Sequence, residues 1–208
     1  MNRRTACLAL ILITLAVTAP EAYAHHVMGG RMPETFTDGF LSGLGHPVIG
    51  LDHFAAVVAV GCLAAAHGAA VALVVGFVAA MMAGVALHLY GAPLPGAEIW
   101  VALSVIALGV AMLRRSQIGT SMALALFAVT GLLHGYALGE SIYGAEPAPL
   151  YAYLIGLALI QSAVALAAMG LTRLAASRHP YAQVARIVGA GITGIGLAIF
   201  VQQIAQAV

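Results

Sequence analysis

Long apolar runs alternate with short polar or glycine- and proline-containing breaks along almost the whole chain. Six of these runs are close to the roughly 20 residues that a helix needs to cross the hydrocarbon core of a bilayer. They cover residues 47–66, 69–90, 99–113, 120–139, 150–171 and 187–207. The runs lack the alternation of apolar and polar residues that marks the strands of a membrane barrel. The pattern therefore predicts an all-α integral membrane bundle of about six transmembrane helices.

The first 24 residues follow the pattern of a secretory signal peptide. A basic start, MNRR, precedes the apolar run CLALILITLAV, and TAPEAYA ends in small residues that suit cleavage after Ala24. The alternative is an uncleaved first transmembrane helix, although this apolar run is short for a span. We therefore expect a cleavable signal peptide at 1–24, a periplasmic N-terminal segment at 25–45 and a six-helix transmembrane domain at 46–208.

The composition agrees with a membrane protein. The chain is 62% hydrophobic and only 7% charged, whereas a soluble domain carries about 25% charged residues. Its formal net charge is +1, and no basic stripe of the kind that binds nucleic acid is present. The lipid bilayer is therefore an expected partner of this chain, and nucleic acid is not.

The charged residues segregate to alternate sides of the predicted bundle. With the mature N-terminus in the periplasm, the loops that carry most arginines lie inside and those that carry most acids lie outside. The inner set is Arg114, Arg115, Arg173, Arg178 and Arg186, and the outer set is Glu34, Asp38, Glu98, Glu140 and Glu146. Because this distribution follows the positive-inside rule, we expect a multi-pass protein of the inner (cytoplasmic) membrane with a periplasmic N-terminus.

Histidines and carboxylates occur where the first and fourth predicted spans reach the outer side. The stretch HPVIGLDH contains His46, Asp52 and His53, and HGYALGE contains His134 and Glu140. On a continuous helix His53 would lie on the same face as His46, about 10 Å deeper. Asp52 and His53 could simply neutralise each other, but ionisable residues at membrane depth usually mark a substrate or ion path. Imidazoles together with carboxylates indicate a site for a divalent transition metal such as nickel, cobalt or zinc.

Three further histidines are weaker candidates for metal ligands. His88 lies near the outer end of the second span, where a lone histidine often only meets the membrane interface. Cleavage after Ala24 would place His25 and His26 at the new N-terminus, beside a free amino group. These nitrogens could capture metal before it reaches the membrane site, or they could remain solvated residues of a poorly ordered chain end.

Small and polar residues inside the spans predict close helix packing. Gly131, Gly135 and Gly139 recur every four residues and form a smooth stripe that allows another helix to approach. The stripe would hold His134 against a neighbouring helix rather than against lipid. Gln161 in the fifth span is expected to form an interhelical hydrogen bond.

The two histidine-containing stretches resemble the signature segments of the HupE/UreJ family, membrane proteins associated with hydrogenase and urease gene clusters. The matching residues are His46, Pro47, Gly50, Asp52 and His53 in the first and His134, Gly135, Ala137, Gly139 and Glu140 in the second. Val57 and Leu133 stand where the family pattern has Met and Phe, so neither departure removes a nitrogen or oxygen ligand. The resemblance implies a nickel permease that acts as a facilitator, with related members assigned to cobalt.

Two functional classes remain open. The first is a permease that admits Ni²⁺ or Co²⁺ from the periplasm for hydrogenase or urease maturation, without enzymatic activity or a tightly bound cofactor. Its expected metal ligands are His46, Asp52, His53, His134 and Glu140. The second is a membrane-embedded hydrolase in which histidine and aspartate hold zinc and activate water. The sequence is compatible with passive or proton-coupled transport, and with a monomer or a homo-oligomer.

The inner half of the bundle favours the first class. It has few strong ligands, and its candidates are Cys62, His67, Met81, Met82 and Met112. A metal captured at the outer side would therefore be released readily, as transport requires and as a fixed catalytic site does not. No nucleotide-binding loop is present, so ATP is not expected to drive this chain by itself.

Overall fold

The computed structural model describes residues 31–114 and 118–207. In these ranges the chain forms seven α-helices and one short 3₁₀ helix, with no strand. The α-helices are α1 (Phe36–Ile49), α2 (Leu51–Ala64), α3 (Ala70–Leu89), α4 (Ala97–Leu113), α5 (Thr120–Gly139), α6 (Pro147–Ala176) and α7 (Tyr181–Ala207), and the 3₁₀ helix is Glu140–Ile142. The all-α prediction is confirmed. The predicted signal peptide at 1–24, His25, His26 and Arg115 lie outside the described residues.

Several of the described helices can cross a membrane. The helices α3, α6 and α7, and α5 together with its 3₁₀ turn, are long and apolar enough to do so. The helices α1 and α2 would add a fifth span if the bent pair is counted as one. With 17 residues, α4 is about 25 Å long, which is near the lower limit for a span. The protein is therefore a multi-pass helical membrane protein with four or five candidate spans among the described residues.

The first predicted span is not a single helix. The run 47–66 is divided at Gly50, where α1 ends and α2 begins, and the two helices are bent by 78°. Gly50 adopts an extended conformation with φ −70° and ψ 108°, which interrupts the helical path. Pro47 was expected to begin the span, but it lies inside α1, where its missing N–H removes one hydrogen bond from the turn that precedes it. The expectation of one continuous helix is therefore wrong.

The helix α1 also occupies part of the segment that was expected to precede the bundle. The side chain of Thr35 accepts a hydrogen bond from the Asp38 backbone N–H, and the Asp38 carboxylate accepts one from the Thr35 N–H. These reciprocal bonds form a capping box, which satisfies two backbone donors that a helix start would otherwise leave unpaired. Among the described residues, helical structure thus begins at Phe36, within the range 25–45.

Glycines allow several helix pairs to pack closely. A methyl group on Gly135 of α5 would overlap the backbone of Met81 in α3, and one on Gly84 of α3 would overlap the backbone of Leu132. The predicted glycine stripe on α5 is therefore confirmed as a packing face. Other glycines pack α1 against α6 and α4 against α7. The helix α2 lies among these pairs, and most of its residues are buried.

The two ends of the bundle carry opposite charges. Glu98 and Glu140 line a cavity at one end. Arg114, which follows the last residue of α4, lines a second cavity at the other end together with His67. This separation agrees with the charge segregation read from the sequence. The assignment of the acidic end to the periplasm rests on the positive-inside rule and stays a prediction.

Candidate functional site

The bend at Gly50 brings the side chains of His46 and His53 close together. His46 lies in the last turn of α1 and His53 in the first turn of α2. Their ring centroids are 6.1 Å apart, and the rings meet edge to face. The expected arrangement, with His53 about 10 Å deeper on one helix face, is wrong because the helix ends between the two residues. Both side chains are buried.

His53 also joins the first motif to the second. Its Nδ1 lies 2.7 Å from Nδ1 of His134, so one of these two nitrogens donates a hydrogen bond to the other. The ring centroids are 4.9 Å apart. His134 is completely buried in α5. Two sequence motifs that lie 81 residues apart therefore meet directly at one pair of side chains.

Ser104 of α4 contacts the other nitrogen of His134. Its Oγ lies 3.0 Å from Nε2 of His134, and its hydroxyl is also 2.7 Å from the carbonyl oxygen of Val101. His134 thus uses both ring nitrogens on protein partners. Sequence reasoning missed Ser104, and the available signal was a single hydroxyl in the apolar run 99–113.

A cavity of about 310 Å³ opens beside His53 at the acidic end of the bundle. Its lining residues are His46, His53, Glu98, Ala137, Glu140, Ser141, Gln203 and Gln206. Three of the five main predicted ligands are in this set, namely His46, His53 and Glu140. His134 is not among them, because it lies behind His53. The contributions of α4 and α7, which include Glu98, were not anticipated as part of the site.

Asp52 supports the start of α2 and is not among the residues that line the cavity. Its Oδ1 accepts a hydrogen bond of 2.7 Å from the backbone N–H of His53, and its side chain is buried. A carboxylate in the first turn of a helix also interacts favourably with the positive end of the helix dipole. The structure therefore gives Asp52 a role in fixing the helix turn that carries His53.

His88 lies apart from this cluster. Its ring packs edge to face on Tyr136 at 4.7 Å and on Tyr143 at 5.7 Å between centroids. Its Cβ lies against Gly139, within the packed interface of α3 and α5. His88 is not among the residues that line the cavity, so the structure places this weaker candidate in an aromatic environment instead.

The described residues contain no group of three or more His, Cys, Asp or Glu side chains arranged to hold a metal ion. The imidazoles of His46 and His53 are nonetheless in contact, and the carboxylates of Glu98 and Glu140 line the same cavity. A divalent ion bound by three or more of these groups would therefore require side chains to move as it binds. The ring nitrogens and carboxylates have the chemistry of a metal site, but they are not preorganised as a closed one.

Comparison with known proteins gives a consistent assignment of family. A family model described as HupE / UreJ protein matches residues 13–199. Protein HupE of Rhizobium leguminosarum bv. viciae is 32% identical over 193 residues, which cover 92% of this chain and 97% of that protein. No solved structure matches the chain. Both histidine motifs fall inside the matched range, and the chain belongs to the HupE/UreJ family.

Proposed function

We propose that the protein is a secondary permease that admits nickel, or cobalt, across the inner membrane from the periplasm for hydrogenase or urease maturation. The observation that carries this proposal is a polar cavity at one end of an apolar helical bundle, with His53 at its wall and paired to the buried His134. Ionisable groups at membrane depth are costly and usually mark an ion path. Membership of the HupE/UreJ family supports the same function.

The cavity combines the ligand types that these metals accept. His46 and His53 offer imidazole nitrogens, and Glu98 and Glu140 offer carboxylate oxygens. Imidazole binds nickel and cobalt well, while carboxylates offset the charge of a divalent cation. The acidic mouth would also raise the local concentration of cations before they lose their water.

His53 is the ligand at the centre of the proposal. It touches His46 on one side and His134 on the other, and it lines the cavity. In this arrangement His134 acts on the metal through His53, and Asp52 acts through the helix start that holds His53. Groups that orient a metal ligand in this way commonly affect affinity as strongly as a weak ligand does.

Below the cavity the metal would meet a weaker pair of groups. The amide Nε2 of Gln161 donates a hydrogen bond to the thioether sulfur of Met81, and both side chains are buried. Gln161 lies beside Val57 of α2. Val57 is one helical turn, about 6 Å, further along α2 than His53. An amide and a thioether bind these cations weakly, which suits a point of passage rather than a resting site.

Further polar groups lie between this point and the basic end of the bundle. Thr172 donates a hydrogen bond of 3.1 Å to the sulfur of Cys62, and both are buried. His67 lines a cavity of about 150 Å³ at the basic end, next to Arg114. Ion passage requires sites that bind well enough to admit an ion and weakly enough to let it leave. The cavity with several imidazole and carboxylate groups at the acidic end therefore suits capture of an ion, and the sparser groups beyond it allow the ion to leave, while the ion gradient sets the direction of net transport.

Uptake of Ni²⁺, Co²⁺ and Zn²⁺ by proteoliposomes tests the proposal. The wild-type protein should transport nickel or cobalt, and His53→Ala should abolish this transport. His179→Ala is the matched control, because His179 is exposed between α6 and α7 and should leave uptake unchanged. Failure of the wild-type protein to transport nickel and cobalt would overturn the proposal. Zinc that remains bound through purification, together with hydrolytic activity, would instead support the zinc hydrolase alternative.

A further inference from the structure

Three buried side chains link the backbone of α4 to the cavity. Ser104 Oγ lies 2.7 Å from the carbonyl oxygen of Val101 and 3.0 Å from Nε2 of His134. His134 Nδ1 then lies 2.7 Å from Nδ1 of His53. His53 lines the cavity, while His134 is sealed from solvent. The chain of hydrogen bonds therefore runs from the Val101 carbonyl to His53, the side chain that would contact the transported ion.

The direction of these hydrogen bonds follows from the single hydroxyl hydrogen of Ser104. The shorter contact is with the carbonyl of Val101, three residues earlier in the same helix, and serine commonly donates to such a carbonyl. Because that hydrogen is used, the Ser104 oxygen can only accept from His134. His134 must therefore carry its ring hydrogen on Nε2.

A neutral histidine carries one ring hydrogen, so Nδ1 of His134 is left as an acceptor. The hydrogen between the two rings then belongs to Nδ1 of His53, which donates to His134 at 2.7 Å. With its hydrogen on Nδ1, His53 keeps a lone pair on Nε2. That lone pair is what a metal ion in the cavity requires.

We propose that Ser104 is a positioning residue that sets the tautomer of His53 and thereby presents its Nε2 lone pair to a divalent cation in the cavity. The identity of the cation rests on the proposed function, but the tautomer is a property of the metal-free protein. If the Ser104 hydroxyl instead donated to His134, the order of donors and acceptors would reverse, and the hydrogen on His53 Nε2 would have to leave that nitrogen before metal could bind there. One hydroxyl therefore favours the tautomer that presents a lone pair to the cavity.

The groups that hold His53 suit a ligand that must release its metal ion. A metal-binding histidine is usually oriented by a carboxylate, a backbone carbonyl or water, and a carboxylate also makes the ligand more basic. Here the group that contacts His53 is a neutral imidazole, held in turn by a neutral hydroxyl. Such a partner fixes the orientation of the ring without adding negative charge. His53 is thus ordered as a ligand by a neutral ring, while the Asp52 carboxylate beside it accepts a hydrogen bond from its backbone N–H.

The direct test is nitrogen-15 NMR of the metal-free protein in detergent, with labelled histidine and the His53 signals assigned by their loss in His53→Ala. The wild-type protein should show the hydrogen of His53 on Nδ1. Ser104→Ala removes the selecting hydroxyl, so it should populate the opposite tautomer, and Ser104→Thr should restore the wild-type spectrum. Ser42→Ala is the matched control, since Ser42 is also a buried helical serine but belongs to α1.

Nickel uptake by the same variants tests the consequence. Ser104→Ala should raise the KM for nickel by about 10- to 100-fold, as expected for loss of a group that orients a metal ligand, and change the maximal rate much less. Ser104→Thr should recover most of the affinity, and Ser42→Ala should match the wild-type protein. A general folding defect would lower the amount of active protein without this pattern of rescue.

The outcomes distinguish a failure of the role of Ser104 from a failure of the proposed transport function. A wild-type spectrum with the hydrogen on Nε2 of His53 would overturn the role of Ser104, and it requires no variant to fold. A Ser104→Ala protein with wild-type tautomer populations and wild-type KM would overturn it as well. The predicted tautomer in a protein that transports no nickel or cobalt would support the hydrogen-bond order and overturn the proposed function.

Discussion

Replacing Gly50 with alanine should weaken metal capture without unfolding the bundle. Gly50 connects α1 to α2, and its φ of −70° is accessible to alanine, so the substitution causes no backbone strain. The new methyl carbon would lie 2.9 Å from Cδ2 of His53 and 3.1 Å from Oδ1 of Asp52. The substitution therefore displaces the His53 ring, which we place at the centre of the site, and the Asp52 carboxylate that supports it.

The size of the effect follows from these distances. Carbon atoms in contact normally lie about 3.5–4.0 Å apart, so the His53 ring must move by at least about 0.6 Å. Movement away from His134 would lengthen their 2.7 Å hydrogen bond to about 3.3 Å, beyond the usual limit of about 3.2 Å. A hydrogen bond contributes about 0.5–1.5 kcal/mol net. At about 1.4 kcal/mol for each factor of ten, its loss corresponds to an affinity about 2- to 12-fold weaker.

The assay is the KM for nickel uptake in proteoliposomes, with the thermal unfolding temperature in detergent as a check on the fold. Gly170→Ala is the matched control, because no neighbouring atom lies within 4 Å of a methyl group at that position in α6. We expect a higher KM for Gly50→Ala, a wild-type KM for Gly170→Ala and folded protein in both cases. A wild-type KM in a folded Gly50→Ala protein would refute the placement of His53 at the metal site.

Three further substitutions test other parts of the structure. Gly135→Ala forces the backbone of Met81 away from α5, so it should destabilise the protein by about 1–3 kcal/mol, and an unchanged unfolding temperature in detergent would argue against the close approach. His134→Ala leaves the Nδ1–H of His53 without its acceptor and should raise the KM for nickel by about 10- to 100-fold, whereas an unaltered KM would show that His134 does not act through His53. Gln161→Ala should lower the maximal uptake rate and leave the KM unchanged, and full activity in rate measurements would exclude it from the path of the ion.

The fold was largely predictable because the lengths of apolar runs report burial in a membrane. Each predicted run corresponds to helical structure, with ends that differ by several residues where polar helix turns extend beyond the apolar stretch, as at Tyr181 of α7. The break at Gly50 was not predictable from the run itself. Gly61 and Gly84 occur in similar apolar surroundings and continue their helices, so the bend depends on tertiary packing and on the hydrogen bond that Pro47 cannot donate to the turn before it.

The candidate site was predictable where its residues form a spaced motif. His46 and His53 stand out in sequence because charged or titratable groups are rare in apolar runs, and the structure brings both to the cavity. Glu98, Gln203 and Ser104 carry no such spacing. Glu98 and Ser104 are isolated polar residues of α4, and Gln203 belongs to a glutamine-containing end of α7 without histidine or acid. Only the packing of α4 and α7 against the centre of the bundle shows that they belong to the site.

The central claim is that a divalent metal binds in the acidic-end cavity through the imidazole of His53. X-ray absorption at the nickel edge, measured on nickel-loaded protein in detergent, tests it most directly because it detects imidazole ligands around the metal. The wild-type protein and His179→Ala should both show imidazole coordination, and His53→Ala should lose bound nickel or lose an imidazole from its shell. An unchanged nickel content and an unchanged spectrum in His53→Ala would contradict the claim.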